Sequence, residues 1–245
     1  MAARLLCAAV LALVALLRPA VPVAAPAASA RWQVVLAAGD GSLPVFDNAT
    51  AAFARLLEKA GVPRGNIHRL TASAAGLRAG VEPATRGRLL RQIAQLPARP
   101  GERCLVFLTS HGERGAGLWL ALSDGVLTPD ELARALSGGC AAVPSVVIVS
   151  GCYTGAFAAG AMRRPNRIIL TAARADRPSF GCQAGRTYTF YDQCLLAALP
   201  GSALWRGVFL RTARCVRDME DRLNMGRSDP QAYFGAAVAR LSVGF

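Results

Sequence analysis

LVFLTSHG at residues 105–112 and VVIVSGC at 146–152 decide the fold. Each is an apolar run that stops abruptly at a reactive side chain, His111 in the first and Cys152 in the second. A strand buried on both faces of a parallel sheet reads this way, as a continuous run rather than an alternation. In open α/β sheets, chemistry collects just past the carboxyl ends of the strands. Two strands that deliver an imidazole and a thiol to one rim point to a nucleophile and its proton-transfer partner.

Working outward, WQVVLAA at 32–38 reads as a first buried strand, 66–70 as a short second one and RIILTAA at 167–173 as another. Helices fall between them. Residues 48–60 carry Phe53, Leu56, Leu57 and Ala60 at helical spacing, with Gly61 as the stop. Residues 83–96 set Leu89, Leu90, Ile93 and Leu96 on one stripe. Thr128-Pro129-Asp130-Glu131 is a capping box with proline at the first helical position, and it opens a helix through Leu136. Residues 202–224 form a long amphipathic helix, and 231–234 a short edge strand behind Pro230. Strands alternating with helices at this spacing predict a doubly wound, mainly parallel sheet. No internal repeat or linker breaks 31–245, so one domain is expected there.

Residues 1–30 read as a cleaved signal peptide: Arg4, an apolar core over 5–17, then Ala28-Ser29-Ala30 as the cleavage site. The apolar core is too short to span a bilayer, so no stable membrane span is expected after cleavage. The protein is expected to be exported, to the periplasm or beyond the cell. The formal charge of +13 is almost all arginine, Lys59 being the only lysine. The arginines are scattered along the chain and accompany no nucleic-acid motif, so a nucleic-acid function is not expected. Cysteines 104, 140, 152, 182, 194 and 215 remain after export, where disulfides are permitted. A 104–140 bridge is possible if the strands near those residues are neighbours, although connectivity cannot be read from spacing alone. The sequence does not fix the oligomeric state.

The export-trimmed chain holds two histidines. His68, inside the second strand, reads as structural. His111 precedes Gly112 at a strand end. Cys152 lies on a turn bracketed by Gly151 and Gly155 among polar neighbours, where a thiol is exposed and backbone N–H groups can lower its pKa and hold an oxyanion. The α/β-hydrolase arrangement is excluded, because Ser150 and Thr154 stand where it needs glycines and the histidine precedes the nucleophile. Two histidines and dispersed cysteines give no metal-ligand pairing.

These blocks resemble the caspase-like cysteine peptidases, and more closely the legumain-like peptidase family C13 in its bacterial form. AAGDGSLPVFDNA at 37–49, FLTSHG at 107–112, VIVSGCYTGAF at 147–157 and ILTAARADRPSFGC at 169–182 carry the likeness. The resemblance implies an α/β fold, a caspase-like three-layer sandwich with a mostly parallel six-stranded sheet. It implies acyl transfer through a thioester on peptide or protein substrates, without metal or organic cofactor. Cys152 takes the nucleophile's place and His111 that of the general acid/base. The N–H groups of Gly112 and Cys152 take the oxyanion hole, and Ser179 a position lining the substrate pocket. Legumain-like enzymes use an acidic residue two before the nucleophile and an Arg-His pair after the first strand. Here Ser150 and Val45-Phe46 stand in those places, so the family's asparagine preference does not transfer. Asp40, a carboxylate at the active edge of the first strand, would favour a basic residue before the scissile bond if it faces the pocket; otherwise it forms a turn. A transpeptidase sharing the same acyl-enzyme, and an inactive peptide-binding scaffold, are the rival readings.

Overall fold

The computed structural model describes residues 32–245. The expected signal peptide lies outside the described residues. In chain order the elements are β1 (Trp32–Ala38), α1 (Pro44–Lys59), β2 (Ile67–Thr71), α2 (Ala74–Arg78), β3 (Glu82–Pro83), α3 (Arg86–Ala94) and β4 (Arg103–Thr109). Then follow β5 (Gly112–Glu113), β6 (Gly117–Leu120), β7 (Gly125–Leu127), α4 (Pro129–Gly139), β8 (Ser145–Ser150), β9 (Arg167–Thr171), α5 (Phe190–Ala198), α6 (Trp205–Arg222) and β10 (Gln231–Phe234).

The central sheet has seven strands in the order β10-β9-β8-β4-β1-β2-β3. All neighbours run parallel except β10, which pairs antiparallel with β9. The six-stranded expectation is corrected by one. The extra strand is β3, two residues that pair with Leu70 and Thr71 at the sheet edge. Pro83 has no N–H to donate, which confines it to such an edge and hides it from a hydrophobicity pattern.

Every residue of β1 is buried. Its side chains alternate between two cores, as a strand's geometry requires. Val34 and Leu36 join Phe53, Leu57, Phe107, Leu195 and Val208 beneath α1, α5 and α6. Val35 and Ala37 join Leu89, Ile93, Val106, Leu132 and Leu136 beneath α3 and α4. Each such side chain, fully buried, contributes roughly 1.5–3 kcal/mol, so the sheet is held from both faces. The result is a three-layer sandwich. Among the described residues no helix is long and apolar enough to cross a membrane.

The capping box on α4 is formed. Thr128 Oγ1 accepts from the Glu131 N–H at 3.3 Å and the Glu131 carboxylate accepts from the Thr128 N–H at 3.0 Å. Besides β3 and the five-residue α2, two parts are absent from the sequence reading. One is the small antiparallel sheet β5-β6-β7, made of strands of two to four residues. The other is α5, whose run of apolar residues over Phe190–Ala198 has little helical periodicity because most of it is buried.

Two disulfides staple the sandwich. Cys104–Cys140 ties β4 to the end of α4, the bridge the sequence allowed. Cys194–Cys215 joins α5 to α6. Cys152 and Cys182 are the free thiols among the described residues.

Candidate active site

β4 and β8 are immediate neighbours, with Thr109 opposite Ser150 in the parallel register. Each reactive side chain lies two residues past its member of this pair, so His111 and Cys152 leave the sheet together at the carboxyl rim. They line one cavity of about 10 Å³, the size of a single water, with Phe46, Ser110, Ser150 and Ser179 among its walls. The contact between the two strand ends is very close. A Cβ on Gly112 would stand 1.8 Å from the carbonyl oxygen of Cys152. Only glycine fits there.

The chain after Cys152 turns sharply. Tyr153 adopts the left-handed conformation at φ 61°. Its N–H donates to the Arg177 carbonyl at 2.9 Å, and Thr154 Oγ1 donates to the Gly151 carbonyl at 2.9 Å. Ser179 lies against the sulfur: its N–H donates to Cys152 Sγ at 3.3 Å, and its carbonyl accepts from the thiol at 3.4 Å.

Two N–H groups at this rim remain unspent. That of Cys152 donates to no acceptor among the described residues. Gly112 pairs with Leu118 in the β5–β6 hairpin, and the Trp119 N–H donates to the His111 carbonyl across that pair at 2.9 Å. This pattern marks Gly112–Leu118 as a non-hydrogen-bonded pair, which turns the Gly112 N–H away from β6.

His111 is half-buried, and its ring meets Phe46 edge-on at 5.1 Å and 78°. Phe46, in the first turn of α1, is itself fully buried, so packing fixes the imidazole plane on that side. The sequence position that in the family's pattern carries a basic pair thus holds an aromatic wall. His68 stays on β2, outside the cavity, and burial holds its imidazole below the usual histidine range.

Of the residues expected to contact substrate, Ser150 and Ser179 line the cavity and Asp40 does not. The Asp40 carboxylate is 7% exposed and accepts from the Ser42 N–H at 2.7 Å and from the Ser42 hydroxyl. It closes a turn, as aspartate before glycine commonly does.

Asp192 escaped the sequence reading. It lies in the first turn of α5, fully buried behind the cavity floor. Thr109 Oγ1 donates to its Oδ2 at 2.7 Å, while its Oδ1 and the nearby Ser150 hydroxyl have no well-formed partner. Burial pushes the Asp192 carboxyl up, against the opposing pull of the Ser150, Thr109 and Thr189 hydroxyls around it. The legible signal was Thr189, an N-cap three residues before an acid, whose hydroxyl accepts from the Asp192 N–H at 3.1 Å. Cys182 also lines the cavity. Burial, and after it the neighbouring Cys152, pushes the Cys182 thiol up.

The arrangement is a thiol, an imidazole and two free N–H donors around a site that admits one carbonyl group. Comparison with known proteins agrees with that chemistry. Residues 88–204, which contain His111 and Cys152, match the model of the Peptidase C13 family. A solved structure described as "structure of pro-sf-caspase-1" is similar over 84% of this chain and 92% of that one, at 13% identity and a TM-score of 0.58. Identity that low shows the fold alone. No curated protein matches the chain. Residues 88–204 therefore form a Peptidase C13 family domain, carried on a caspase-like fold.

Proposed function

We propose that this protein is an exported cysteine endopeptidase in which Cys152 and His111 form the catalytic dyad. The observation that carries the proposal is their placement on adjacent strand ends around one cavity, with the backbones of Gly112 and Cys152 in contact. The Cys152 thiolate adds to the scissile carbonyl carbon. The resulting oxyanion takes hydrogen bonds from the Cys152 and Gly112 N–H groups, donors fixed in place before reaction. His111 then gives its proton to the leaving amine nitrogen as the C–N bond breaks, leaving a thioester. Water, losing a proton to His111, adds to the thioester carbonyl and expels the thiolate. Ser150 and Ser179 contact the residue before the scissile bond. Two disulfides among the described residues support export, since such bonds persist in oxidising compartments.

The test is chemical. A peptidyl electrophile is expected to add to Cys152 under reducing conditions, and Cys152→Ala to lose both the adduct and turnover while keeping the fold. His111→Ala is expected to slow turnover about 10²-fold or more, the scale of a lost general acid/base. An unlabelled Cys152, or turnover surviving in Cys152→Ala, overturns the assignment and favours a binding scaffold. Incubation of peptide with excess amine separates hydrolysis from acyl transfer to the amine.

A further inference from the structure

The arginines that look scattered in sequence are not scattered in space. Arg211, Arg214 and Arg217 lie on the solvent side of α6, and Arg174 and Arg227 meet them across a groove of about 620 Å³. The acids within the groove are already engaged. Glu220 is buried and accepts from the Ser228 N–H at 2.9 Å, and Asp229 pairs with Arg177 at 2.7 Å. Arg174 and Arg227 likewise have carboxylate partners, Asp176 and Asp221. Arg211, Arg214 and Arg217 have none: their guanidinium groups make no hydrogen bond or ion pair with any described residue. Asp218 and Asp221 follow Arg214 and Arg217 by one turn but form no ion pair with them, and the groove lining itself sets five arginines against Glu220 and Asp229, a positive excess that anions from outside would relieve.

The groove is also linked to the rim that carries Cys152. Gln231, which lines it, pairs with Thr171 at the carboxyl end of β9. That is the sheet rim on which Cys152 lies, and β9 is the next strand over from β8. The segment 174–179 joins the two places directly. Arg174 lines the groove, the Arg177 carbonyl holds the Tyr153 N–H, and the Ser179 N–H rests on the Cys152 sulfur.

Resting on the peptidase reading above, we propose that this groove is an exosite for an acidic stretch of the protein substrate. Charge complementarity selects the occupant. Carboxylates match guanidinium groups in bidentate geometry, and the three free arginines span about 9 Å along the helix, at 1.5 Å per residue. Alternate side chains of an extended peptide, about 6.6 Å apart, reach two of them at once. Leu210, 60% exposed, adds an apolar wall that suits a peptide better than a phosphate backbone. A second copy of this chain is disfavoured, because a twofold contact would set the same cations against each other.

The test uses fluorescein-labelled octaglutamate and Cys152→Ala protein, so binding is read without turnover and stands apart from the peptidase assignment. The peptide is expected to bind, with affinity falling as salt rises, and the triple variant R211E/R214E/R217E to bind at least tenfold more weakly. R211Q/R214Q/R217Q serves as a milder variant if charge reversal impairs folding. In the active protein, charge reversal is expected to lower kcat/KM at least tenfold on a substrate extended by eight glutamates. It is expected to leave kcat/KM unchanged on the same substrate without them. Equal binding by parent and variants, or equal loss on both substrates, overturns the proposal. So does tighter, arginine-dependent binding of single-stranded DNA or of phosphatidylglycerol vesicles, which would assign the groove to those surfaces, or arginine-dependent self-association.

Discussion

Replacing Gly112 with alanine probes the geometry on which the site depends. The added Cβ would lie 1.8 Å from the Cys152 carbonyl oxygen, and real Cβ atoms essentially never come within 3.0 Å of such an atom. The two strand ends must therefore part by at least 1.2 Å (3.0 minus 1.8). Misplacing catalytic groups by about 1 Å costs on the order of 10² in rate, so kcat/KM on a short peptide is expected to fall at least that far. Overpacking of this kind costs about 1–3 kcal/mol, and for a chain of this size each kcal/mol lowers Tm by roughly 2–4 °C. A loss of rate far larger than the loss of stability explains is the expected signature. Gly65→Ala, with nothing within 4 Å of its Cβ, is the control and should change neither quantity. A Gly112→Ala protein with parental kcat/KM and parental Tm would refute the close approach of the His111 and Cys152 strands.

Cys152 and Cys182 share a cavity, but the Cys182 thiol is pushed up by burial and by its neighbour, so it ionises only at higher pH. Iodoacetamide at neutral pH is therefore expected to modify Cys152 first, with Cys182 labelled appreciably only as pH rises; peptide mapping that finds Cys182 alkylated first contradicts this. The Cys104–Cys140 bridge closes a loop with a sequence separation of 36, which in the chain-entropy model is worth about 4 kcal/mol. The double alanine variant should lose roughly that much in denaturant unfolding, and a loss under about 1 kcal/mol would argue against the bridge. The folded-state pKa of Asp192 is raised, so its contribution favours the fold at low pH and is lost as pH rises above the unfolded carboxyl value near 4. Asp192→Asn removes that dependence, and its Tm relative to the parent should climb between pH 4.5 and 8. A flat difference would mean the carboxylate ionises freely in place.

The parallel core and the rim positions of His111 and Cys152 were legible because they are local signals. Continuous apolar runs at 105–109 and 146–149 mark strands buried on both faces, and the residues that end such runs fall at the sheet rim. The capping box at Thr128 and the edge strand behind Pro230 were likewise written in short spacings. Tertiary structure decided what depends on distant chain segments meeting. Asp40 reads in sequence as a pocket acid or a turn former, and only folding shows its Oδ1 held by Ser42, two residues later, outside the cavity. Asp192 looked unremarkable inside α5, yet folding sets it against Thr109, 83 residues earlier, beneath the reactive pair. The order of the strands placed β4 beside β8, and so imidazole beside thiol. The packing of α6 against the β9–β10 edge gathered arginines from three segments into one groove. Sequence fixes which side chains are apolar, reactive or charged along the chain. Which of them share a cavity or a field is set by long-range packing, whose partners no local pattern names.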